Sequence, residues 1–241
     1  MNRILGILIF AALTASCLGE STFNTTYIPI ITFDTSDSNF NEDSLYFDTN
    51  YKIGFGWDSF MFYHKIDVAF SDFKGGFLLS ALNIPRSGQT EALRNNQYRA
   101  NSKGVNKFAV FALTDDMPKN HFEFVYNTSG GLKGTCSPAA VRVNNAVAVA
   151  DSVRAFFVPG DKMVLRLTGY LNNKETGHSD IVLAERGTDR DSIVSKWTEM
   201  NLGALGSIDE IRLDFILPEG SKVPKIACLD SLVASVSLYS E

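Results

Sequence analysis

Carboxylates stand close together along this chain in two places, Asp115–Asp116 and Asp189–Asp191. Paired acids are what glycoside hydrolysis requires, provided that one of them sits in a cleft with a raised pKa. Both pairs lie in polar, turn-like contexts, where solvated turn carboxylates are the ordinary outcome. His64, His121 and His178 are far apart, with no ligand spacing, and read as polar surface or strand-edge residues. The chain has no G-x-S-x-G, H-E-x-x-H, C-x-x-C, G-x-x-x-x-G-K-S/T or G-x-G-x-x-G;. Local spacing therefore supports no enzyme, and a glycoside hydrolase or lyase would need acids that only folding brings together.

Two sets of residues could hold something without reacting with it. Asp34 closes the segment ITFD near the start, and Asp230 lies in ACLDSLV near the end. First and last strands of a jelly roll often lie side by side, and two carboxylates with backbone carbonyls suit calcium. The other reading has Asp34 capping a turn and Asp230 accepting from a backbone amide. The second set is aromatic. Trp57, Phe60, Phe62 and Tyr63 crowd one stretch, while Tyr98 stands beside Asn96 and Gln97 in a long polar segment. Trp and Tyr offer flat apolar faces with a polar handle, which stack on sugar rings or a macrocycle edge, and neighbouring amides would fix the ligand's orientation. Trp57, Tyr63, Asn96, Gln97 and Tyr98 are thus the ligand-binding candidates. Phe60, Phe62 and Trp197 are expected in the core.

The elements that must position these residues are extended. Segments 27–33, 76–82, 107–113, 121–126, 180–184, 197–202, 210–217 and 226–238 read as strands;. Segment 52–70 is too aromatic and glycine-rich for a helix and reads as two strands, or a strand and a loop. Segment 163–171 alternates with period two, Met163, Leu165 and Leu167 against Val164, Arg166 and Thr168;. Segment 139–149 begins as a strand, and 145–157 has room for one or two helical turns. The turn clusters TSGGLKG, LNNKETGHSD and LPEGSKVP separate strands;. About eleven short strands and hardly any helix predict an all-β jelly-roll β-sandwich, similar to carbohydrate-binding modules. The long interruption at 82–105 is either a binding loop or a plain surface loop.

Residues 1–16 have the layout of a secretory signal: Arg3, then an apolar run over 4–13 too short to span a bilayer, then Ala15 and Ser16 before Cys17;. This resembles a bacterial lipobox, in which the peptide is cut before the cysteine and Cys17 is acylated. A plain signal peptide with a coincidental cysteine is the alternative. The expected organisation is a signal peptide over 1–16, a tether over 17–26 and one domain over 27–241. The expected address is the outer membrane, held by the lipid, facing either the cell surface or the periplasm. Cys136 and Cys228 would then meet an oxidising compartment, where they either pair or stay as buried apolar thiols. The net charge of −5 and the lack of a basic stripe argue against nucleic acid as a partner;.

Several stretches together resemble a known family: ITFD (31–34), GGFLLSALN (75–83), NNQYRA (95–100), VRVNNAVAVADSV (141–153), DSIVSKWTEMNLGALGSIDEIRLDF (191–215) and ACLDSL (227–232). The family is a group of jelly-roll domains in Bacteroidetes surface lipoproteins, long labelled as of unknown function. The resemblance implies an all-β, secreted, lipid-anchored protein. Some members bind cobalamin at the cell surface and hand it to a TonB-dependent outer-membrane transporter, so it also implies a non-catalytic catcher of cobalamin or another corrinoid. A glycan-binding module of a polysaccharide-uptake system is the competing function, and an adhesive or structural surface protein is the third.

Overall fold

The computed structural model describes residues 24–34, 40–47, 53–57, 59–67, 69, 72–82, 96–101, 107–115, 117, 121–125 and 132–240. Cys17 and Asp116 lie outside them. Fifteen strands are defined among the described residues, and every pairing is antiparallel.

One sheet layer contains β1 (Asn24–Tyr27), β2 (Ile30–Ile31), β3 (Leu45–Tyr46), β6 (Asp72–Ser80), β7 (Phe108–Ala112), β9 (Leu132–Asn145), β13 (Thr198–Asn201) and β15 (Ile226–Ser240). Its centre is the long β9–β15 ladder, with β13 beyond β9 and with β7, β2 and β1 in turn along the other side of β15. The second layer runs β4 (Gly54–Trp57), β5 (Phe60–Asp67), β8 (His121–Phe124), β14 (Glu210–Ile216), β10 (Lys162–Leu171), β11 (Lys174–Glu185) and β12 (Ser192–Ile193). Strand β5 belongs to both layers. Phe60, Met61 and Phe62 pair with β8, whereas His64 to Asp67 pair with β6 across a register shift. One sheet therefore curls over on itself into a jelly-roll-like β-sandwich. Gly76 sits at that corner with φ +91°, and a Cβ there would strike the Tyr63 carbonyl; only glycine fits both demands.

The period-two pattern decides what fills the sandwich. Along β10, Met163, Leu165 and Leu167 are buried while Val164, Arg166 and Thr168 are half-exposed, as the sequence predicts. Along β5, Phe60, Phe62, His64 and Ile66 point inward. Phe62 packs on Phe33, Phe55, Phe77 and Phe122 at centroid distances of 5.0–5.8 Å. This aromatic stack joins the two layers. Helix α1 (Val147–Phe156) buries Val149, Ala150 and Val153, in the stretch expected to hold helical turns. His64 corrects the reading of a surface histidine. It is fully buried among Phe47, Phe55 and the Phe77 carbonyl, 3.2 Å from its Nδ1. Its place on the inward side of β5, in line with Phe62 and Ile66, leaves its ring no route to solvent.

Candidate functional site

The outer face of the second layer carries a row of side chains across four strands. The register sets Met61 beside Glu123, Glu123 beside Glu210, and Glu210 beside Tyr170. Like charges directly opposed across a ladder repel. Here the Tyr63 hydroxyl donates to Glu123, and the Arg212 guanidinium donates to Glu210. Arg212 lies 4.0 Å over the Tyr170 ring, a cation–π contact;. The bond to Glu210 raises the Arg212 pKa, so this cation is permanent.

Beside this row is a recess of about 350 Å³ lined by Glu123, Phe124, Asn172, Asn173, Asp209 and Glu210. Asn172 and Asn173 form the two-residue turn between β10 and β11, both in the left-handed region at φ 51° and 62°. That is the type I′ geometry which twisted hairpins favour and which asparagine tolerates. The turn is fixed by Asn172 N–H donating to Asp209 Oδ2 at 2.8 Å. Asp209 N–H donates to the Tyr170 carbonyl at 2.8 Å, and Phe124 N–H to the Asp209 carbonyl at 2.9 Å. The rim is therefore rigid. It presents three carboxylates and two carboxamides, mostly acceptors, and suits a ligand rich in hydroxyl or amide N–H groups.

Of the residues expected to bind ligand, Tyr63 alone adjoins this recess. Trp57 ends β4 half-buried, 5.6 Å from the Phe33 ring. Asn96 Oδ1 accepts from Tyr98 N–H at 2.9 Å in a local turn, and Gln97 is exposed. Tyr98 packs edge-on against Phe73 at 5.5 Å, and its carbonyl accepts from Ser80 at 3.0 Å. Burial, with help from the Asp72 charge and against a Gln97 hydrogen bond, pushes the Tyr98 phenol up to about 12. Tyr98 thus pins its segment to the sandwich. Asp191 accepts from Arg186 at 2.8 Å, a loop ion pair, and Asp115 is exposed.

Asp34 and Asp230 do come near one another. Asp34 is exposed and accepts from Lys107 N–H at 3.0 Å. Asp230 is buried; Oδ2 accepts from Ser231 at 2.7 Å, and Oδ1 has no hydrogen-bond partner among the described residues. Burial chiefly, and the Asp34 charge next, raise the Asp230 pKa. Among the described residues no group of three or more His, Cys, Asp or Glu side chains is arranged to hold a metal ion. Of the two readings for the cysteines, the structure has the buried thiols and not the disulfide: Cys136 and Cys228 are both free and buried. Cys136 lies opposite Val236 and Cys228 opposite Asn144, so eight residues of ladder separate them, far beyond disulfide reach. Burial pushes the Cys136 thiol to about 12 and raises Cys228 as well.

The recess residues Glu123, Asp209 and Glu210 are not apparent from local spacing. Only the Asn172–Asn173 doublet carried a signal, that of a tight hairpin.

No family model and no curated protein sequence matches the chain. Among solved structures it is similar to two crystal structures of DUF4465 family proteins, from Bacteroides ovatus ATCC 8483 and Bacteroides caccae ATCC 43185. Both are 16% identical, with TM-scores of 0.54 and 0.55. The matches cover 88% and 90% of this chain, and 99% and 94% of those chains. The likeness establishes the β-sandwich fold over nearly the full chain, and both proteins come from the phylum to which the motif resemblance points.

Proposed function

We propose that this chain is a non-catalytic binding lipoprotein, anchored through Cys17 to the outer membrane, which captures a corrinoid such as cobalamin for a TonB-dependent transporter. The observation that carries the reading is the recess of acceptor oxygens at Glu123, Asp209 and Glu210 with the amides of Asn172 and Asn173. A corrin ring bears primary carboxamides around its rim, and their N–H donors match such a lining. At about 350 Å³ the recess is near the small end of ligand sites, roughly 300–1,000 Å³. It takes an edge of the macrocycle, with the remainder lying over the Tyr63–Tyr170 row. The ordered motif resemblance supports the same reading, and the likeness in fold over 88% and 90% of the chain agrees with the architecture that it implies.

A glycan is the second reading, favoured by Tyr63 and Tyr170 on the same strand face as the carboxylates. Sugar hydroxyls would meet the same acceptors. The test is direct. Residues 18–241 mixed with cyanocobalamin and passed through a desalting column should give a red protein fraction, with calorimetry supplying the affinity. A colourless fraction would sink the corrinoid reading, and binding on a glycan array would then establish the second.

A further inference from the structure

We propose that the outer face around β1, β2 and the end of β15 lies on the bilayer that holds the anchor, so the domain rests on the membrane in a fixed orientation. The inference rests on acylation of Cys17 under the proposed function.

Three neighbouring segments carry no charged residue: 24–33, 134–141 and 231–240. They pair with one another as β1, β2, β9 and β15. In a chain that is 20% charged, this leaves the outer side of these segments without a charge of its own, and the exposed Arg142 and Glu199 stand farther along the sheet. Ser235, Ser237 and Val233 alternate outward along β15 between the buried Ala234 and Val236. Large apolar groups gather along its margin. Ile28 and Ile30 are 67% and 62% exposed, and Ile30 stands opposite Val233 on this outer side. Tyr27 lies instead opposite the buried Val236, and its hydroxyl meets Ser59 Oγ at 3.1 Å, so it and Val125, whose N–H donates to the Ser59 carbonyl at 2.7 Å, stand at the rim between the layers. Isolated exposed apolar residues are ordinary on any surface; a contiguous set on an uncharged face marks a contact.

The occupant follows from where the chain enters. Asn24 begins β1 seven residues after Cys17, so even a fully extended tether reaches only about 25 Å. The outer apolar residues start four residues later, at Ile28. An acidic domain of net charge −5 is repelled by an anionic lipid surface through its charged faces. The uncharged face can approach without that cost.

The full chain should be expressed in a didermal bacterium, with single-cysteine labels introduced by Ile28→Cys, Ile30→Cys and Glu219→Cys. Glu219 follows β14, which runs away from the recess, and so lies at the opposite end. The fluorophore is read in membrane vesicles against lipids carrying a headgroup-level nitroxide. Labels at 28 and 30 should be quenched about threefold more than the label at 219, and Ile30→Glu should at least halve quenching at 28. Equal quenching at all three positions in a chain membrane-bound through Cys17 overturns this inference alone; the patch would then serve another partner. A chain that stays soluble with Cys17 unmodified overturns both the anchor and the docking.

Discussion

Asp230 should make the fold less stable as pH rises above the ordinary carboxylate range. Its side chain is 4% exposed. Oδ1 has no hydrogen-bond partner among the described residues and borders a gap of about 10 Å³ among Phe33, Phe62, Phe77 and Phe122. That space is at the limit for one water molecule. Burial and the Asp34 charge oppose ionisation more than the Ser231 and Phe33 hydrogen bonds favour it, so the folded pKa is raised. The unfolded value is about 3.9. A raised folded pKa means that the native state holds the proton more tightly. The contribution is fully present below the unfolded value and is lost as pH rises through the folded one. One titrating group changes stability by at most about 1.4 kcal/mol per pH unit within that window, and by nothing outside it. Urea unfolding of the wild type and Asp230→Asn from about pH 4 to pH 8 isolates the term, because asparagine cannot ionise. The variant should start about 1–3 kcal/mol below wild type, since its buried amide N–H has no acceptor to meet. It should then gain on wild type as pH rises and level off. A pH-independent difference, or one that shrinks, refutes the reasoning. Millimolar calcium that stabilises the wild type and abolishes the slope would show that Asp34 and Asp230 share a cation instead of a proton.

Three further outcomes are expected. Cys136 and Cys228 should react with a thiol reagent only after denaturation, and a reductant should leave the thermal midpoint unchanged, since both are free, buried and protonated. Phe62→Ala should cost about 3–5 kcal/mol by urea unfolding, because its ring touches four other phenylalanines that join the two layers; a loss under about 1 kcal/mol would mean that the stack is not the centre of the core. Glu123→Gln should weaken corrinoid binding about tenfold by calorimetry, the value of one charge-assisted hydrogen bond, while leaving the far-ultraviolet spectrum intact.

The fold was legible wherever one face of a strand is dry and the other wet. Segment 163–171 alternates cleanly because β10 is flanked by β11 and β14 and packs inward on one side only. Phe60 and Phe62 were legible as core for the same reason, and Trp197 packs against Phe108 at 5.5 Å. The polar run at 172–180 misleads. Only Asn172 and Asn173 turn, and β11 resumes at Lys174. Its first half is mostly exposed near the layer's edge, where polar residues are normal, and only Thr176 and Gly177 meet the turn at 203–205. Strand β9 likewise starts at Leu132, well before the expected 139. Gly134 falls in a cluster that reads as a turn, and Pro138 lies beyond the last β13 pairing and beside a register shift, where its missing N–H breaks no ladder;. The recess was illegible for a different reason. Glu123 and Glu210 meet only because β8 pairs with β14 across 87 residues of sequence, and no local pattern encodes a pairing of that separation.

The recess and the uncharged face constrain each other. The docking face is the outer side of the first layer, and the carboxylate row beside the recess is on the outer side of the second. A bilayer resting on the first therefore leaves the second turned away from the membrane. Under this proposal the tether does more than prevent loss of the protein. By keeping the domain at the membrane, it raises the effective concentration of loaded binder at the proposed transporter without requiring a tight protein–protein contact. A freely swinging domain on the same tether would keep the concentration and lose the orientation. The quenching pattern at Ile28 and Ile30 is the observation that tells the two apart.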